Sequence, residues 1–112
     1  MSKLDEKVAH YVQEAKKLGL DISEDLITKV AGALGPSIYN QDAETVSCSD
    51  ASELETVKKN FLQNKLGLED DANLDVAIQK VCEAMGSSNR HKYRALFYAL
   101  LTKEFGKESV YA

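Results

Sequence analysis

No apolar run in this sequence approaches the ~20 residues needed to cross a bilayer; the longest, Ala95 to Leu101, has seven. A membrane partner is therefore not expected. The first residues, Met1 to Lys7, lack the apolar core of a secretory signal, which makes the cytoplasm the expected location. No low-complexity stretch occurs, and 44% hydrophobic with 29% charged residues is the composition of a folded domain rather than a disordered chain. Histidine is scarce: His10 and His91 stand far apart and form no ligand spacing, so no metal is expected. The two cysteines, Cys48 and Cys82, form neither a metal motif nor a redox pair, and in a reducing compartment they read as free thiols. The glycine spacings of phosphate-binding and dinucleotide-binding loops are missing, as is any turn motif marking a Ser-His-Asp arrangement. No cofactor and no enzymatic activity are expected.

Alternation of apolar and polar residues at period two is also missing over any useful length, which excludes a sheet and points to an all-α domain. A chain of 112 residues buries roughly two-thirds of its unfolded surface, so residues 1–112 are read as one domain. Five helical segments follow from the apolar period and the glycines that close them. They run from about Leu4 to Leu18, Glu24 to Leu34, the residues after Ser52 to Leu66, Leu74 to Met85, and Arg90 to Phe105. Ser23 caps the second; Asp50 or Ser52 caps the third; Asn73 or a preceding aspartate caps the fourth. The fifth carries Ala95 to Leu101, and a helix apolar all round must be surrounded. It is the expected centre of a compact bundle. Lys17-Leu18-Gly19-Leu20 recurs as Lys65-Leu66-Gly67-Leu68, which reads either as a duplicated helix pair or as similar cap chemistry at two helix ends. The stretch from Pro36 to Ser49 shows neither period and reads as a long connection, with room for one helical turn near Gln41 to Thr45.

Charge is unevenly placed. The net charge of −4 disfavours a chain that coats nucleic acid by bulk attraction. From Asp42 to Val57 there are five acids and no base, and from Gly86 to Lys103 four cations and no acid. Acids open the first four helices, as the helix dipole favours, whereas the fifth opens with Arg90, His91, Lys92 and Arg94. Two readings arise there. The free N–H groups of a helix start, with Ser87, Ser88, Asn89, Arg90 and Arg94, would hold a phosphate or carboxylate, and RNA is a narrower version using Lys92 and Tyr93. Alternatively, the arginines pair with the acidic segment inside one fold or across a homodimer. Interface candidates are Ile38, Tyr39 and Tyr98, because tyrosine is enriched at contact surfaces. A non-catalytic module that self-associates or holds a protein partner is the leading expectation, with the anion site as the alternative.

Gly35-Pro36-Ser37-Ile38-Tyr39-Asn40, Leu54-Glu55-Thr56-Val57 with Asn60-Phe61-Leu62, Met85 to Arg90 with Lys92-Tyr93-Arg94, and Phe105 to Ser109 together resemble a small bacterial family known only as a domain of unknown function. The resemblance spans nearly the whole chain. It implies a small, all-helical cytosolic protein and brings no activity, cofactor or catalytic residue.

Overall fold

A computed structural model describes residues 3–86, 89 and 92–111, with backbone only at 41 and 42. The order is α1 (Lys3–Leu18), α2 (Glu24–Leu34), a 3-10 turn (Gly35–Tyr39), α3 (Gln41–Glu44), α4 (Ala51–Thr56) running on into a π-helical segment (Val57–Gln63), α5 (Ala72–Ala84), α6 (Arg94–Glu104) and a closing 3-10 turn (Glu108–Tyr111). No strand occurs among the described residues, and the five expected helices are all there, so the fold is an all-α bundle. No described helix is long and apolar enough to cross a membrane.

The caps follow the local chemistry. Ser23 Oγ accepts the Leu26 N–H at 3.1 Å. Asp50 caps α4, accepting from Ser52 N at 3.0 Å, and Asp71 caps α5, accepting from Asn73 N at 2.7 Å. The repeated Lys-Leu-Gly-Leu ends both carry glycine at φ 71°, a left-handed angle that a Cβ would resist. They differ in reach. Leu20 N donates to Ala15 O, five residues back, whereas Leu68 N donates to Leu62 O, six back. The second end has been let out by the π turn before it, where Asn64 N and Leu66 N each bond the carbonyl five residues earlier.

Helix α6 occupies the middle of the bundle, packed on α1, α2, α3 and α5. Ala95, Leu96, Phe97, Tyr98, Ala99, Leu101 and Thr102 are all buried, and the Thr102 hydroxyl donates to Tyr98 O at 2.7 Å so that no polar atom is stranded. This helix begins later than its sequence suggests. Tyr93 is extended, with φ −61° and ψ 131°, because it forms an antiparallel bridge to Thr45 while Val46 N donates to Lys92 O at 2.8 Å. That pairing competes with helix for residues 92 and 93 and wins.

The cysteines are not free thiols. Cys48 and Cys82 form a disulfide with Cα atoms 6.1 Å apart across 34 residues of sequence. The segment after Pro36 is tied to α5 through Cys48, a long-range contact that the sequence does not reveal. The same segment is not a bare loop. Ile38 and Val46 are buried in it, and one turn of helix, α3, forms within the range expected for one.

Candidate functional site

Two clusters of polar side chains fasten the segment from residue 36 to residue 50, and a surface hollow opens beside one of them. In the first cluster α1 presents Lys7 and Tyr11 one turn apart. Lys7 Nζ donates to Glu44 Oε2 at 2.8 Å, and Tyr11 Oη donates to the same oxygen at 2.6 Å. Glu44 and Tyr11 are both buried, so the carboxylate is held by a charge and a phenol rather than by water. Next to Tyr11 in the chain, His10 Nε2 meets Tyr93 Oη at 2.9 Å, and the Tyr11 and Tyr93 rings lie 5.2 Å apart. Burial, then the Glu44 hydrogen bond and charge, push the Tyr11 phenol well above the usual range. Burial, with the charges of Glu14 and Glu44, also raises Tyr93, opposed by Lys7.

In the second cluster the Arg94 guanidinium is spent inside the fold. Nε donates to Ala43 O at 2.8 Å, one terminal nitrogen to Tyr98 Oη at 2.9 Å, and the other to Thr45 O at 3.4 Å and Glu53 Oε1 at 2.5 Å. The acidic and basic segments thus meet here within one chain. Tyr98 is itself buried, stacked on Phe61 with centroids 3.9 Å apart and planes within 12°.

These positions decide what the expected residues can do. Arg94 is not free to hold an external anion. Asn89 turns its amide back to Met85 O at 3.0 Å, a cap on the end of α5. Ser87, Ser88 and Arg90, the rest of the expected anion site, lie outside the described residues, as does His91. Lys92, expected at an RNA surface, is buried and donates to Asn89 O. Of the three interface candidates, Ile38 and Tyr98 lie in the core instead, because the 3-10 turn folds back over α2 and α6 is enclosed on every side. Tyr39 alone reaches the surface, at 45% exposure.

Tyr39 stands at the rim of a hollow of about 330 Å³ shared with Lys3, Glu6, Lys7 and His10 of α1. The α1 residues repeat at the spacing of one helix face, a signal present in the sequence but indistinguishable there from an ordinary solvated face. Tyr39 is held firmly. Ile38 beside it is 1% exposed, Ser37 Oγ donates to Leu34 O at 2.9 Å, and Asn40 N closes the turn on Ser37 O at 3.2 Å. No group of three His, Cys, Asp or Glu side chains able to hold a metal ion occurs among the described residues.

The phenols make the fold sensitive to alkali. Tyr111, half-buried in the last turn, is raised by burial from 10.0 to about 12. A phenol that keeps its proton more tightly when folded adds stability that is complete below the unfolded value and is lost as pH rises through the folded one. The helical circular-dichroism signal should therefore fall between pH 10 and 12 as phenolate absorbance grows. Full phenol ionisation with the helices intact would contradict the burial described here.

No curated protein matches the chain. A family model described as "Protein of unknown function (DUF2853)" matches residues 10–109, and the chain belongs to that family.

Proposed function

We propose that this protein is a non-catalytic binding module whose contact surface centres on Tyr39, engaging a protein partner or a second copy of the chain. The observation that carries the reading is the exposure of Tyr39 on a turn closed by hydrogen bonds and anchored by the buried Ile38. An aromatic anchor presented on a locked turn loses little conformational freedom on binding, and such residues supply much of the energy of protein contacts. The adjoining hollow, lined by Lys3, Lys7, His10 and Glu6, offers charge and hydrogen bonding around the ring, as the polar rim of an interface does. The non-catalytic part of the reading rests on how the reactive groups are used. Cys48 is tied in a disulfide, and His10 is bonded to a phenol rather than poised beside a nucleophile. Disulfides persist in oxidising compartments and are rare in reduced cytosol, so the cytoplasmic location expected from the first residues is not carried into this reading.

Native mass spectrometry of the gently purified protein tests it. The wild type should retain a second chain, identical or different. Tyr39→Ala should appear bare, its affinity weakened roughly 30-fold by the loss of an anchor of about 2 kcal/mol. Because Ile38 holds the turn, the variant should keep its thermal midpoint. An equally retained partner in Tyr39→Ala would contradict the placement of the surface.

A further inference from the structure

The π-helical segment Val57–Gln63 is the least regular stretch of helix in the molecule. Such turns are rare, cost backbone hydrogen-bond geometry, and are found mostly where function uses them. This one lies beside a second hollow, of about 200 Å³, which shares no lining residue with the Tyr39 surface. The π segment contributes Asn60 and Phe61 to it, α6 contributes Tyr98, α2 contributes Leu34, and the closing 3-10 turn lays Tyr111 across from them. Lys65 stands at the edge with its Nζ 5.1 Å from the centre of the Tyr111 ring.

The chemistry of that lining is specific. Three aromatic side chains, two of them the stacked and largely buried Phe61 and Tyr98, line it with an aliphatic floor and a carboxamide, one ammonium stands at the edge, and no acid is among the lining residues. Lys65, like Lys3, Lys16, Lys17, Lys92 and Lys107, makes no ion pair with a carboxylate among the described residues, and of these it alone lines this hollow. A partly apolar hollow whose only formal charge is positive suits a flat body carrying one negative group. Its volume is below the roughly 300–1,000 Å³ of sites for drug-sized ligands, which limits the ligand to a single ring.

We propose that this hollow binds a single-ring aromatic carboxylate, its ring against the aromatic lining and its carboxylate on Lys65 and Asn60. The π turn then has a use: it carries Asn60 to the rim while keeping Phe61 flat on Tyr98. Tyr111, a neutral phenol at physiological pH, covers the ring without repelling the anion. This inference stands apart from the Tyr39 reading and survives its failure.

The test is a titration of the full-length, isotope-labelled protein with sodium benzoate, followed by proton–nitrogen correlation NMR at constant ionic strength. Saturable shifts are expected at the amides of Asn60, Phe61, Lys65 and Tyr111. Cyclohexanecarboxylate, with the charge but no flat ring, and benzamide, with the ring but no charge, should each bind about tenfold more weakly, as each lacks one of the two interactions. Lys65→Gln should weaken benzoate by about tenfold and leave benzamide unchanged. That variant alters an exposed side chain, and its spectrum reports at once whether the fold is kept. Equal, unsaturating shifts with benzoate and cyclohexanecarboxylate would overturn the proposal, as would saturable shifts at other residues or a Lys65→Gln protein that binds benzoate normally.

Discussion

Reduction of the Cys48–Cys82 disulfide, or its replacement by Cys48→Ala with Cys82→Ala, is expected to lower the free energy of unfolding by about 4 kcal/mol. The bond closes a loop spanning 34 residues, and in the chain-entropy account that closure removes about this much freedom from the unfolded chain. Against the roughly 5–15 kcal/mol that holds an ordinary domain, the loss is large. The native fold should persist at room temperature, because Ile38, Val46, Glu44 and Arg94 still fasten the same segment. Alanine is the right replacement at position 82. The side chain there is 3% exposed, and a serine hydroxyl would be buried without an assigned partner. Urea unfolding with and without a dithiol reductant measures the effect, and the reduced chain should also show the steeper denaturant dependence of a more expanded unfolded state. A difference below about 1 kcal/mol would mean that the bond does not form or that its loop is already closed when unfolded.

Arg94→Ala is expected to cost about 3 kcal/mol, at the lower end of what breaking one side of a buried ion pair costs. The guanidinium side chain is 15% exposed and its partner Glu53 28%, so solvent recovers part of the loss. Four acceptors depend on this one group: the carbonyls of Ala43 and Thr45, the Tyr98 phenol and the Glu53 carboxylate. Burial works against its charge, yet the Tyr98 and Glu53 contacts outweigh burial and hold the guanidinium protonated more firmly than in water. No pH change within the range of the folded protein will mimic the substitution. Glu53→Gln should cost only about 1 kcal/mol, since the other three acceptors remain and an amide oxygen still accepts from the guanidinium, only the opposite charge being lost. Hydrogen exchange localises the damage. The Val46 amide, bonded to Lys92 O, should exchange faster in Arg94→Ala while the amides in the middle of α6 keep their protection. Uniform acceleration across α6 would show that Arg94 supports the whole core rather than the segment from 43 to 46.

What was legible in the sequence was the part written in local pattern. The apolar period located α1, α2 and α5, the unbroken run from Ala95 to Leu101 marked α6 as the enclosed helix, and Ser23 announced its cap. In the segment from 36 to 49 only the helical turn near Gln41 was legible, because the contacts that tie the segment to the rest of the fold are remote. Glu44 is held from Lys7 and Tyr11, 37 and 33 residues away, Arg94 reaches Thr45 across 49 residues, and the disulfide spans 34. The start of α6 was displaced for the same reason, through the bridge between Thr45 and Tyr93. The π segment left no mark at all, since Leu54, Val57, Phe61, Leu62 and Leu66 fit the ordinary helical period as well. Of the functional residues, Tyr39 could be singled out from its place after Pro36. Ile38 beside it could not be told apart, and only the fold shows that one is buried and the other exposed. Lys65 read as a cation favoured at a helix end, and nothing in the sequence brings Tyr111 to it.

The central claim, that Tyr39 marks the contact surface, is tested most directly by placing a photo-crosslinking amino acid at position 39 in the full-length protein in its native cells, with position 76 as the control. Val76 is 65% exposed and lies on α5, so it samples the solvent at least as freely. A discrete covalent adduct at position 39, either twice the mass of the chain or one defined partner, with no adduct at position 76, is the predicted result. No adduct at position 39, or the same set of products from both positions, would contradict it.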